Sequence, residues 1–117
     1  IKGKRVAVVD DSIVRGTTSA QIVKALFDAG AVEVHFLVSS PPVRFPDFYG
    51  IDTPKKDQLV ASSKSVEEIR QFLGATSLNY LSIEGLVKGV GLPREKLSLS
   101  CFDGVYPIDL LERSKEV

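Results

Sequence analysis

The chain has 117 residues, 44% of them hydrophobic, and its 15 Lys and Arg balance 15 Asp and Glu to a formal net charge of zero. That length fits one domain or a large piece of one, with enough apolar residues to bury a core. The balance argues against a nucleic-acid-coating protein, no apolar run approaches the ~20 residues of a membrane span, and the opening Ile1-Lys-Gly-Lys-Arg5 lacks the apolar region of a signal peptide.

Arg5 to Val9 is a short β-branched run that reads as a strand ending at Asp10. Thr18 to Ala29 reads as a helix, with Thr18 as its cap and Gln21 completing a capping box. Ile22, Val23, Leu26 and Phe27 form its apolar stripe, and Gly30 closes it. Val32 to Val38 is a second strand, with Val32, Val34, Phe36 and Val38 alternating. Strand, helix and strand make a βαβ unit, so its strands should be parallel and its crossover right-handed. The fold class expected is therefore α/β with a parallel sheet.

Ser39-Ser-Pro-Pro42 stops the second strand, because proline cannot continue a central ladder. A loop rich in Pro, Gly and aromatic residues follows, to Thr53-Pro54, a cap with proline at the first helical position. Lys55 to Ala61 reads as a short helix with Lys55, Lys56 and Asp57 on a solvated face. Ser65-Val-Glu-Glu68 is a second capping box and opens a helix to about Leu73, ended by Gly74. Leu78 to Ser82 reads as a short strand, Ile83 to Val90 as a helix weakened by Gly85 and Gly89, and Gly91-Leu-Pro93 as a turn. Leu97 to Phe102 alternates enough for another short strand, Asp103-Gly104 is a turn, and Leu110 to Val117 should fray. Cys101 stands alone, so no disulfide within the chain and no cysteine-built metal site can form; it reads as a small buried hydrophobe in a reducing, cytoplasmic setting.

The stretch from Val8 to Ser19, Val-Val-Asp-Asp-Ser-Ile-Val-Arg-Gly-Thr-Thr-Ser, carries the chemistry. Open α/β sheets bind ligands beyond the carboxyl ends of their strands, where Asp10 and Asp11 sit. The following helix start offers free amides and partial positive charge, which suits phosphate. Gly16 allows close backbone approach, the Thr17, Thr18 and Ser19 hydroxyls add donors, and Arg15 adds charge. Acids able to hold a metal or sugar hydroxyls thus stand one loop away from a phosphate cradle. A merely solvated turn is the bland alternative. A phospho-accepting receiver domain is a sharper one, with Asp52 as acceptor, but Asp52 lacks an apolar strand to present it and receivers do not follow their acids with Gly-Thr-Thr-Ser.

Val8 to Thr18 resembles the PRPP-binding signature of the type I phosphoribosyltransferases (PRPP is phosphoribosylpyrophosphate). Ser39-Ser-Pro-Pro-Val43, Phe48-Tyr-Gly-Ile-Asp-Thr-Pro54, Ser65-Val-Glu-Glu-Ile-Arg70, Tyr80-Leu-Ser-Ile-Glu-Gly85 and Cys101-Phe-Asp-Gly-Val-Tyr-Pro107 extend the resemblance to the glutamine PRPP amidotransferase family, over residues 1 to about 108. The resemblance implies a partial type I phosphoribosyltransferase fold with C-terminal helices, residues 1–117 being the C-terminal portion of the transferase domain without its glutaminase domain. It implies the first committed step of purine synthesis, in which ammonia from glutamine attacks C1 of PRPP to give 5-phosphoribosylamine and pyrophosphate. Asp10 and Asp11 would meet the ribose hydroxyls and Mg²⁺. Ser12 would lie beside them, and Arg15, Gly16, Thr17, Thr18 and Ser19 would cradle the 5-phosphate. Purine nucleotides would inhibit partly through the same loop, and the parent enzyme would be a homo-oligomer. No 4Fe–4S cluster is expected, since Asp47, Glu95 and Ser98 stand where cluster-bearing members have cysteines. Nor is a nucleophilic N-terminal cysteine, pyrophosphate loop or lid present, so this piece is expected to bind without catalysing. A regulatory module that senses PRPP is the alternative.

Outside that stretch, His35 faces away from the alternating apolar set and reads as structural or solvent-facing. Asp52 and Thr53 read as a helix cap. Phe48 and Tyr49 read as packing residues, with a place in the sugar pocket beside Ser39 and Ser40 as the alternative.

Overall fold

The computed structural model describes residues 1–49 and 54–108. The proposed cap at Asp52 and Thr53 and the charged tail from Leu110 to Val117 lie outside the described residues. Three strands, β1 (Arg5–Asp10), β2 (Glu33–Val38) and β3 (Ser77–Tyr80), form one parallel sheet in the order β1-β2-β3. Helix α1 (Thr17–Asp28) joins β1 to β2, so the α/β, parallel-sheet expectation is met by the βαβ unit the sequence implies.

Register decides which face each side chain takes. Val8, Phe36 and Leu78 are opposite one another across the sheet, and Val6 with Val34, and Val38 with Tyr80, fall on the same face. That face packs against α1 through Ala20, Val23 and Leu26 and against α3 (Val66–Leu73) through Ile69 and Leu73. Phe36 is wholly buried at its centre. Removing its ring from water is worth roughly 1.5–3 kcal/mol. Alternate residues Ala7, Val9, Leu37 and Asn79 are exposed on the other face, Val9 at 71%. His35 lies among them and joins the strands sideways: Nδ1 pairs with the Ser77 hydroxyl and Nε2 with the Glu33 carboxylate, each at 2.7 Å. Its structural reading stands.

The termini of the elements show where local chemistry ruled and where it yielded. Helix α3 opens on the full capping box, Ser65 Oγ accepting from the Glu68 amide at 3.2 Å and Glu68 Oε1 from the Ser65 amide at 3.1 Å, and closes on left-handed Gly74. Helix α4 (Ile83–Val90) is capped by Ser82, which is why β3 stops at Tyr80 rather than running to Ser82. Helix α1 instead begins at Thr17 behind Gly16 at φ +85°, with no side-chain cap, so the expected Thr18–Gln21 box does not form. Val32 lies outside β2 and is exposed. Residues 55–61 do not form one helix. A 3-10 turn (Lys56–Gln58) is separated from α2 (Val60–Ser63) by an extended Leu59, fully buried, which frees the Val60 amide to reach the loop after β1. The expected strand at 97–102 is absent. After a second 3-10 turn (Arg94–Lys96), Ser100–Asp103 forms a helical turn, α5, because the Leu99 carbonyl accepts from Phe102 and Asp103, and Gly104 at φ +72° ends it. Cys101 is half-buried rather than fully buried, and burial pushes its thiol up.

Ser65→Ala should cost about 1 kcal/mol in urea unfolding, the usual worth of a lost N-cap. The bonds from Ser65 hold the Glu68 carboxyl below its ordinary range. Its contribution is therefore present above the ordinary carboxylate pKa and is lost as pH falls through the lowered value; the Ser65 amide, the larger cause, survives in Ser65→Ala, so the variant's acid limb should stay close to that of the unsubstituted chain.

A second expectation concerns Tyr80, whose hydroxyl is buried with no hydrogen-bond partner among the described residues. Desolvation pushes it up to about 12. Tyr80→Phe should be neutral or stabilising at pH 7. Since the folded value lies above the unfolded one, wild-type stability should fall between about pH 10 and 12, and the Phe variant should lose less over that range in urea titrations.

Candidate functional site

A cleft of about 510 Å³ opens beyond the carboxyl end of β1. It is lined by Asp10, Ser12, Val14, Arg15, Gly16, Thr17, Thr18 and Ser19, with Pro54 from across the chain. All the residues singled out in the sequence line it except Asp11. That side chain is exposed, its amide donating to Asp10 Oδ1 at 2.8 Å and its own Oδ1 accepting from the Ser12 hydroxyl at 3.3 Å. The two carboxylates thus play unequal parts: Asp10 faces the cleft with one oxygen already engaged, and Asp11 braces the turn.

The loop between Asp10 and α1 is held from three sides. Ile13 is buried to 1% and plugs the core. The Val14 carbonyl accepts from the Val60 amide at 2.9 Å. Gly16 lies against the ring of Phe72, so close that a Cβ there would stand 3.0 Å from Phe72 Cε1. On the outer rim, Arg15 Nη2 donates to Gln58 Oε1 at 3.4 Å. Behind it, the Asp10 carbonyl accepts from the Ser39 amide at 2.9 Å and its hydroxyl at 3.2 Å, tying the ends of β1 and β2 together.

The geometry leaves the first amides of α1 unclaimed by any side-chain cap, beside three hydroxyl residues, an arginine and a positive helix end. The free amides and partial positive charge of a helix start favour an anion such as a phosphate group. Asp10 at the far wall suits hydroxyls or a cation. Among the described residues no group of three or more metal-binding side chains exists, so a divalent ion here would need oxygens from the ligand as well.

Other residues weighed in the sequence lie elsewhere. Phe48 meets Tyr106 edge-on at 5.4 Å and Tyr49 packs against it at 6.3 Å, while neither lines the cleft, so the packing reading holds over the sugar-pocket one. Ser40 turns back to the Pro41 carbonyl. Lys55, Lys56 and Asp57 are exposed, as expected, and Lys56 Nζ sits 5.0 Å over the Phe45 ring. Sequence reading missed Pro54, Gln58, Val60 and Phe72, because each reaches the loop from more than 35 residues away and no local spacing announces it.

The chain is a parallel α/β domain with a cleft at a strand's carboxyl end, which is where open α/β sheets place their ligands. No family model matches the chain. Comparison with curated proteins is decisive: the amidophosphoribosyltransferase of Bacillus subtilis (strain 168) is 54% identical over 116 residues, spanning 96% of this chain and 24% of the relative. That of Synechococcus elongatus is 51% identical over 115 residues, 98% of this chain and 23% of the relative. A solved glutamine PRPP amidotransferase from B. subtilis, complexed with ADP and GMP, superposes with a TM-score of 0.88 at 55% identity over 94% of this chain and 25% of that one. The chain is homologous to a stretch of the amidophosphoribosyltransferases, and it spans about a quarter of the length of the relatives it matches.

Gly16→Ala should destabilise the chain by about 1–2 kcal/mol from the left-handed backbone alone, with a further loss from the Phe72 contact. Adding Phe72→Ala should recover only that second part. Urea midpoints of the two single variants and the double variant separate the contributions.

Proposed function

We propose that this chain supplies the ribose-5-phosphate half of the PRPP site of an amidophosphoribosyltransferase acting at the entry to purine synthesis. One observation carries the reading: Arg15, Gly16, Thr17, Thr18 and Ser19 ring an uncapped helix start, and Asp10 faces them across a single cleft. In this reading residues 1–117 are the C-terminal portion of the transferase domain. The 5-phosphate rests on the amides and hydroxyls of residues 16–19, with Arg15 as counter-charge. Asp10 meets the ribose hydroxyls, and Asp11 acts by fixing its turn.

The carboxylates of Asp10 and Asp11 would hold a Mg²⁺ that arrives on the substrate, because Mg²⁺ is commonly held by one or two carboxylates plus substrate phosphates. Bound there, the ion would neutralise the departing pyrophosphate. The negative charge of Asp10 and Asp11 favours the positive character that develops at C1 as that bond breaks. Ammonia is already a nucleophile, so no side chain need serve as base, and positioning supplies much of the rate. Ammonia would come from a glutaminase domain of the parent homo-oligomer. Purine nucleotides carry a phosphate on the same ribose carbon and would compete for the same cradle; the solved B. subtilis relative is a complex with ADP and GMP. A half-buried thiol as the single cysteine is compatible with a reducing, cytoplasmic setting.

Calorimetric titration with PRPP and Mg²⁺ tests this. The chain should bind, and Arg15→Ala should weaken binding about tenfold or more, the scale of a lost charged hydrogen bond. Asp10→Asn should weaken PRPP binding more in Mg²⁺ than in its absence. Ammonia-dependent formation of phosphoribosylamine should not occur on this chain alone; robust turnover would overturn the partial-site reading. Binding without turnover in a full-length parent would favour a PRPP sensor instead.

A further inference from the structure

Among the described residues, Gln58 is a polar side chain that reaches the cleft's arginine, at the outer rim. It ends the 3-10 turn of residues 56–58, its amide donating to the Lys55 carbonyl at 2.9 Å. The next residue, Leu59, is fully buried, and the one after, Val60, is bonded through its amide to Val14 in the loop that carries Arg15. Gln58 therefore stands on backbone fixed from both sides and tied to the very loop it faces. Its Oε1 accepts from Arg15 Nη2 at 3.4 Å. Arginine is a long, exposed side chain here, and holding it in one place costs rotamer entropy at the moment a ligand binds. A neutral amide acceptor takes one of the five guanidinium donors and leaves the charge intact for an anion.

We propose that Gln58 is a positioning residue for phosphate recognition, holding the Arg15 guanidinium at the mouth of the cleft. The proposal rests on the phosphate-binding reading of that cleft. It extends the site to residues beyond the strand–loop–helix signature and makes the 3-10 turn a working wall of it.

The test uses ribose 5-phosphate as probe, titrated into the 117-residue chain and its Gln58→Leu, Gln58→Glu, Arg15→Ala and Gln58→Leu/Arg15→Ala variants, with melting temperatures recorded for each. Gln58→Leu should weaken binding about three- to tenfold, the range of one net hydrogen bond, without moving the melting temperature. In the Arg15→Ala background the same change should cost nothing further, as expected for a residue that acts through Arg15. Gln58→Glu keeps an acceptor but adds a carboxylate that competes with the anion for the guanidinium, so it should bind the probe more weakly than the unsubstituted chain. Unchanged affinity in Gln58→Leu, an equal loss with and without Arg15, or a Glu variant that binds as tightly as the unsubstituted chain would each overturn the proposal. If Arg15→Ala weakens binding while Gln58→Leu does not, only the role of Gln58 fails; if the unsubstituted chain does not bind the probe, the phosphate reading of the cleft fails with it.

Discussion

Everything about the cleft depends on residue 16 turning left-handed with nothing on its α-carbon. At φ +85° Gly16 ends the loop from β1 and starts α1 in a single residue. The turn leaves the start of the helix without a side-chain cap, along the cleft, and lets the Phe72 ring close against the backbone. A side chain there would meet both a disfavoured conformation and an occupied position. The rest of the arrangement follows from that small volume. Ile13 can reach the core, Val14 can offer its carbonyl to Val60, and Arg15 is left on the rim facing Gln58.

The contrast between α1 and α3 shows how a helix start is allotted. Helix α3 satisfies its own amides with Ser65 and Glu68 and has nothing left for a visitor. Helix α1 has Thr17, Thr18 and Ser19 at the same place, chemically able to cap, yet its cap residue is a glycine without a side chain. Uncapped amides are tolerable because they face a cleft rather than apolar core. Local stability is given up at the point where a phosphate would restore it.

Much of this was legible in the sequence where the determinants are close together. The alternation of Val34, Phe36 and Val38, the Ser65-to-Glu68 box and the glycine at 74 each act within a few residues, and each appears as read. The acids and the Gly-Thr-Thr-Ser run marked the cleft for the same reason. The reading failed where the answer lay far along the chain. Alternation in 97–102 suits a strand only if a neighbour offers a free edge, and Leu99 turns inward to start a helical turn instead. Residues 55–61 have helical composition, but Leu59 is drawn out straight by its burial and by the bond from Val60 to Val14. Asp10 and Asp11 look equivalent as letters; the pleat sends one toward the cleft and leaves the other outside.

The anchoring of residues 13–16 also bears on time. A loop already plugged, bonded and wedged has little backbone left to arrange when an anion arrives. Encounter then needs only the settling of exposed side chains, which takes picoseconds to nanoseconds rather than the slower ordering of a segment. For a ligand of the proposed kind, arrival would be governed by diffusion and by the field of Arg15 and the helix end. Differences in affinity among such ligands would be written mainly in how long each one stays.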